Sequence, residues 1–272
     1  MNNILLRSLT GAVFISIILI PLFFSDVITT AVFGFFMAIG LIEFYQLFKN
    51  VDSVDVRWET GLLYGLLLFG ITSLIFFNLL PVAVLVILIP LLFSLILIEL
   101  WRKKENPIIN AAVLVFGIIY VAIPFILMVF ITTMDNNVFP LLAGMFILTW
   151  MNDTFAYLSG RFAGKTKLFE RISPNKTWEG TIGGAIFTIL AGIAVGYLFD
   201  AEHIFFWIIA ALLIAPCAIL GDLVESLFKR NVNVKDTGNI MPGHGGILDR
   251  FDATFFVVPF FLMWAFIYTY FA

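Results

Sequence analysis

Apolar residues in this chain come in runs of membrane-spanning length, not in the short alternations of a water-soluble fold. Such runs can be read at 4–24, 27–48, 60–78, 82–101, 108–132, 138–159, 180–199, 204–228 and 251–271, each close to the ~20 residues that a helix needs to cross the hydrocarbon layer. The breaks between them are polar: Ser25-Asp26, Lys49 to Glu59, Asn78 to Pro81, Arg102 to Pro107, Met134 to Asn137, Asp200 to His203, and the long segments 160–179 and 229–250. Within lipid a helix satisfies its own backbone polar groups, so the pattern predicts an all-α, polytopic integral membrane protein of about nine transmembrane helices. About five of these helices fall in an N-terminal block, 1–137, and about four in a C-terminal block, 138–272. The first run follows Arg7 as a signal peptide's apolar core would. It is long and lacks a small-residue cleavage site, so it is expected to be retained.

Charge orients this array. If the helices alternate in direction, all 15 Lys and Arg residues fall on one side, and the opposite breaks contain only the acids Asp26, Asp135, Asp200 and Glu202. The positive-inside rule makes the basic side cytoplasmic, with the N-terminus inside and the C-terminus outside. A missed or invented span would invert everything after it and scatter the cations over both faces. The expected location is a cytoplasmic or inner membrane, crossed many times.

Composition narrows the class further. Of 272 residues, 62% are hydrophobic and 12% charged, with 32 Phe, and mean hydropathy is +1.08. A soluble globule, a disordered chain and a disulfide scaffold are excluded. The single cysteine, Cys217, can form no intrachain disulfide, and with His203 and His244 as the only histidines a zinc site of the His/Cys type would lack ligands. Small residues at Gly180, Gly184, Thr188, Gly192 and Gly196 form a stripe at every fourth position, the pattern of close helix packing in membranes. Gly160 to Thr166 imitates a phosphate-binding P-loop, but three residues separate its glycines instead of four and a membrane helix precedes it. Two glycosylation sequons, at Asn152 and Asn175, lie on the basic side and read as chance matches.

The remaining polar residues concentrate in two cytoplasmic segments, 160–180 and 229–250, and in the helix ends that flank them; Trp150–Gly180 and Gly221–Asp252 together hold 9 of the 15 basic residues. Lys and Arg at that density suit polyanionic ligands. Asp222, then Glu225 or Ser226, then Lys229 fall on one helical face, and Asp249 and Asp252 stand three apart at the start of the last span. An ionised carboxylate at such a depth is costly unless paired or bound to metal. Between these helices, Pro242-Gly243-His244-Gly245-Gly246 can turn backbone N–H groups toward an anion. The set fits Mg²⁺ with phosphate, since Mg²⁺ prefers one or two carboxylates plus phosphate oxygens. Buried ion bridges, such as Asp249 with Lys229, are the alternative. Asp153, about two turns before Arg161 in the sixth span, is a further functional candidate.

These residues resemble a known family. Ser226-Leu-Phe-Lys229-Arg230, Lys235-Asp236 and Pro242-Gly-His244-Gly245-Gly246-Ile-Leu-Asp249-Arg250-Phe-Asp252 look like the signature of the CDP-diacylglycerol synthases, or phosphatidate cytidylyltransferases. Ser173-Pro174-Asn175-Lys176-Thr177-Trp178-Glu179-Gly180 is similar to that family's second stretch, and Gly40, Glu43 and Tyr45 fit a further pattern loosely.

The resemblance implies transfer of CMP from CTP to phosphatidate, giving CDP-diacylglycerol and pyrophosphate, with Mg²⁺ and a monovalent cation such as K⁺, in a homodimer that binds no nucleic acid. It implies Asp222 and Asp249 as metal ligands, with Lys229, Arg230 and His244 beside them in catalysis. Substrate contacts would come from Asp153, Ser173, Asn175, Lys176, Thr177, Ser226, Lys235, Asp236, Gly245, Gly246 and Arg250. Two other classes compete: a CTP-dependent lipid or polyprenol kinase, and an ion-coupled transporter. The transporter would place its acids near mid-membrane in broken helices, whereas Asp222 and Asp249 fall near cytoplasmic helix ends.

Overall fold

The structure, a computed structural model, describes residues 3–51, 53–134, 140–238, 240 and 245–271, without the side chains of 3–8 and 50. Ten α-helices account for almost all of it: α1 Asn3–Phe24, α2 Asp26–Leu47, α3 Trp58–Phe76, α4 Leu88–Arg102, α5 Pro107–Gly117, α6 Ile123–Thr133, α7 Leu141–Ala163, α8 Trp178–Phe199, α9 Ile204–Asn231 and α10 Leu248–Phe271. A π-turn, Ile118–Ala122, joins α5 to α6, so the single apolar run expected there is one rod with a local change of winding. Among the described residues, eight helical stretches are long and apolar enough to cross a membrane, from Asp26–Leu47 to Leu248–Phe271, and Leu9–Phe24 is a shorter apolar helix. The protein is thus an all-α polytopic membrane protein, with one small exception. Residues expected only as a polar loop form an antiparallel hairpin, β1 Lys167–Phe169 with β2 Ser173–Thr177.

Contacts group the chain into two compact units: residues 1–133 with 231–250, and residues 134–230 with 251–272. In the first, α2 is the central helix. Phe33, Met37, Leu41, Phe44 and Tyr45 are buried along it, and the Tyr45 hydroxyl donates to the Leu114 carbonyl at 2.8 Å. Gly61 and Gly117 make room for that ring, since a Cβ at either would fall within 2.6 Å of it. At the end of α4 the buried Glu99 accepts from Arg102 at 2.5 Å and from the Asn110 amide at 3.2 Å. Arg102 also reaches Asp55 at 2.9 Å, and Lys104 reaches it at 2.6 Å. The Lys104 hydrogen bond, with the charges of Lys104 and Arg102, holds the Asp55 carboxyl below its ordinary range.

In the second unit α7 and α8 pack side by side along the small-residue stripe. A Cβ on Gly180 would lie 2.7 Å from the Ala156 carbonyl oxygen, and one on Gly184 would lie 2.9 Å from the Ala156 Cβ. Further along, Gly192 faces Trp207 and Ala211 of α9 and Gly196 faces Ile204, all within 3.0 Å of an added Cβ. The stripe therefore serves close packing, against α7 in its first half and the start of α9 in its second. Gly221 makes the next close crossing: a Cβ there would be 2.6 Å from the Asp252 carbonyl oxygen. That approach brings the polar end of α9 level with α10.

Candidate active site

The hairpin is the part of the second unit that the sequence pattern left undefined, and it decides where the cations go. The Lys167 ammonium ties its two strands together by donating to the Pro174 carbonyl at 2.6 Å. Glu179, in the first turn of α8, accepts from the backbone N–H groups of Lys165 and Thr166 at 3.1 Å and from the Thr166 hydroxyl at 2.9 Å. The loop leaving α7 is thereby tied to the start of α8. Thr177 is buried and serves as the N-cap of α8, its hydroxyl accepting from Gly180 N–H at 3.2 Å, which satisfies one of the helix's free first-turn donors. The stretch that imitates a P-loop is the C-terminal end of α7 running into β1, and its Lys165 and Thr166 N–H groups are taken by Glu179.

Held this way, β2 points Lys176 at α9. Its ammonium lies 2.6 Å from Asp222 Oδ2 and 3.4 Å from the Ile219 carbonyl, and the Ser226 hydroxyl donates to Asp222 Oδ1 at 3.2 Å. One turn on, Lys229 pairs with the buried Glu225 at 2.6 Å. Asp252 of α10 is within electrostatic reach of Glu225, Asp222 and Asp153. A cavity of about 380 Å³ opens over the Lys176–Asp222 pair. Its polar lining comes from Asn152, Asp153 and Arg161 of α7, Asn175 and Lys176 of β2, and Asp222 of α9, with Tyr157 exposed on its rim. A cavity with cations and carboxylates on facing walls can hold a phosphorylated ligand with an Mg²⁺ ion. Among the described residues, no three of His, Cys, Asp and Glu converge to hold a metal by themselves. The donor set fits an ion that keeps phosphate and water in its coordination shell.

The first unit holds the other half of the signature, organised by backbone donors. Asp249 is buried, and its Oδ2 accepts from Thr237 N–H at 3.0 Å, the Thr237 hydroxyl at 3.0 Å and Gly246 N–H at 2.8 Å. Gly245 has φ +80°, and a Cβ there would come within 2.5 Å of Asp249 Oδ2, so only glycine fits without strain. The glycine-rich turn was expected to aim N–H groups at an anionic ligand; at Gly246 that anion is Asp249 of the same chain.

Of the residues singled out from sequence, Asp153, Asn175, Lys176, Thr177 and Asp222 meet around the cavity, with Ser226 bonded to Asp222. Ser173 pairs with Phe169 in the hairpin. Arg230, Lys235, Asp236 and Arg250 are exposed, and His244 lies outside the described residues. The sequence reading of the site missed one group and gave another only loosely. Asn152 and Tyr157, in the cavity wall, stand among apolar and small neighbours that give no signal. Glu43, given only by the loose pattern with Gly40 and Tyr45, joins the Asp249 loop, and a lone acid near the end of an apolar run was a further clue.

Comparison with known proteins identifies the family. A family model described as "Cytidylyltransferase family" matches residues 5–268. A phosphatidate cytidylyltransferase of Staphylococcus haemolyticus (strain JCSC1435) is 37% identical over 173 residues, covering 63% of this chain and 65% of the relative. Proteins of the same name from Staphylococcus epidermidis (strain ATCC 12228 / FDA PCI 1200) and Staphylococcus aureus (strain COL) are 48% and 50% identical over 100 and 101 residues, 36% of this chain and 38% of each relative. The matched stretches thus span less than two thirds of those relatives' own length.

Proposed function

The chain belongs to the cytidylyltransferase family, and on that premise we propose that it is a phosphatidate cytidylyltransferase. It transfers CMP from CTP to phosphatidate, giving CDP-diacylglycerol and pyrophosphate for phospholipid synthesis at the cytoplasmic face of a cell membrane. The observation that carries the reading is the cavity over Lys176 and Asp222, where a cation from the hairpin and a carboxylate from α9 face one opening.

A phosphatidate headgroup stays at the interface while its tails lie among helices, and CTP comes from the cytosol. A site at helix ends serves both. The phosphomonoester oxygen is already anionic near neutral pH, so its attack on the α-phosphorus of CTP needs little base assistance. One P–O bond forms as the bond to pyrophosphate breaks, and the main obstacle is repulsion between two polyanions. Lys176 and Arg161 offset that charge, and Lys176, released from Asp222 when a phosphate enters, can follow the charge as it moves to the leaving group. Asp222 and Asp249 are the proposed ligands of Mg²⁺, which would supply charge neutralisation at the phosphates and a better leaving group. Asp249 would take that part while its Oδ2 holds the loop. K⁺ and a homodimeric assembly complete the reading through the family resemblance.

The decisive assay presents purified protein with phosphatidate, Mg²⁺ and each nucleoside triphosphate in turn. Release of pyrophosphate with CTP, and formation of a CDP-lipid, are expected; release of CDP instead would make it a kinase. The proposed orientation, basic loops inside and C-terminus outside, is read by single cysteines at Asn136 and Asn233 in a Cys217→Ala background. An impermeant reagent should label them from opposite sides, and labelling from one side would refute the topology.

A further inference from the structure

Glu43 is a buried carboxylate of the first unit that the proposed reaction does not use. It stands in α2 about one turn from its C-terminal end, 3% exposed, and it is committed to residues some 200 positions away in sequence. Its Oε1 accepts from Ile247 N–H at 3.0 Å and its Oε2 from Leu248 N–H at 2.9 Å. Those are free donors at the first turn of α10, so a carboxylate from another helix does what a local cap ordinarily does, at the end where the helix dipole favours negative charge. The Thr237 hydroxyl lies 3.0 Å from Asp249 Oδ2 and 3.5 Å from Glu43 Oε2. Having one proton, it serves Asp249 and only abuts Glu43. The fit is tight: a Cβ on Gly238 would lie 2.4 Å from Glu43 Oε1, and one on Gly246 would lie 2.5 Å from Oε2. Gly238 and Gly246 are thus dictated by a side chain in α2.

We propose that Glu43 is a positioning residue of the transferase: by gripping the backbone of Ile247 and Leu248 it fixes the start of α10 and so the direction in which the next residue, Asp249, is presented. The geometry favours this over bulk packing, because both oxygens are spent on the two peptide groups that immediately precede Asp249. Mere burial of an α2 side chain would need an apolar residue, not a charge whose desolvation must be offset by two backbone donors. The proposal rests on the assignment of Asp249 to the metal made above.

The test is Glu43→Gln in the full-length purified protein, which keeps the shape but replaces one acceptor by an NH₂ facing a backbone N–H. Loss of a group that orients a metal ligand is expected to cost about 10–100-fold in activity or metal affinity. The fall should appear in kcat and as a higher Mg²⁺ concentration for half-maximal rate, with KM for CTP within about threefold of wild type. Amide exchange at 245–250 should speed up while exchange in α7 and α8 stays slow. Wild-type kcat and Mg²⁺ dependence would overturn the proposal, as would uniformly faster exchange with kcat and KM failing together. If Glu43→Gln does not fold, Glu43→Asp is read by the same criteria, since it keeps the charge but shortens the reach. A wild-type protein that releases no pyrophosphate would sink the proposed function alone, because the exchange measurement still reports whether Glu43 holds the start of α10.

Discussion

Two carboxylates of one signature are held in opposite ways. Asp222, in the second unit, is half-buried beside a cavity and bound by the end of a long lysine side chain and a serine hydroxyl. Asp249, in the first unit, is buried and bound by two backbone N–H groups and a threonine hydroxyl. A lysine ammonium on four rotatable bonds can leave its partner for a phosphate at modest cost, whereas backbone donors cannot leave without unfolding the loop. The pair therefore differs in what it can exchange. Asp222 and Lys176 form a movable contact suited to substrate entry and release, and Asp249 with its backbone donors at Thr237 and Gly246 forms a fixed one that sets a direction.

The largest effect expected from this contrast is loss of turnover in both Asp222→Asn and Asp249→Asn. The double mutant should be little worse than either single one, because residues acting as a unit are strongly non-additive. The two should part company in stability: Asp222→Asn keeps its unfolding temperature, while Asp249→Asn loosens amide exchange at Thr237 and at 245–249. Near-normal Mg²⁺-dependent turnover in either purified mutant removes that residue from the metal pair. Next in size, Lys176→Met should lower kcat/KM by about 10²-fold or more, roughly 2.7 kcal/mol, if its contact to phosphate strengthens in the transition state. A change under about threefold in a folded protein would reduce Lys176 to the counterion of Asp222. The smallest effect sharpens the same boundary between chemistry and support. Thr177→Ala should cost about 0.5–2 kcal/mol of stability through the lost cap, measured by thermal unfolding in detergent, and Thr177→Ser should restore it. A larger fall in kcat/KM than in stability would return Thr177 to substrate contact.

Much of this was legible in the chain because the signals were local. Apolar runs near 20 residues long mark spans whatever their partners, and the stripe from Gly180 to Gly196 announces a close helix contact since only small residues let two backbones approach. The signature around Asp222 and Asp249 is also contiguous or nearly so. The hairpin at 167–177 was not legible, since five residues with a proline and one cation carry no strand periodicity, and it is pinned by Glu179 from outside. Thr177, expected to touch substrate, lines the cavity, and its hydroxyl also caps α8; a threonine before an acidic helix start is the signal for the cap, and it was overshadowed by the neighbouring lysine.

The sequence by itself determined that the chain lives in a membrane, which breaks collect its cations, and which carboxylates are too costly to be there without a purpose. All three follow from transfer free energies that each residue contributes independently of its partners. Only the tertiary structure decided how those carboxylates are held: that Lys176 reaches α9 at Asp222 and, across 43 positions, at Ile219, and that Glu43 reaches the start of α10 across 204 and 205. Neither pairing has a local signature, because a buried charge requires only that some donor meet it, and which donor does so is fixed by how the helices pack.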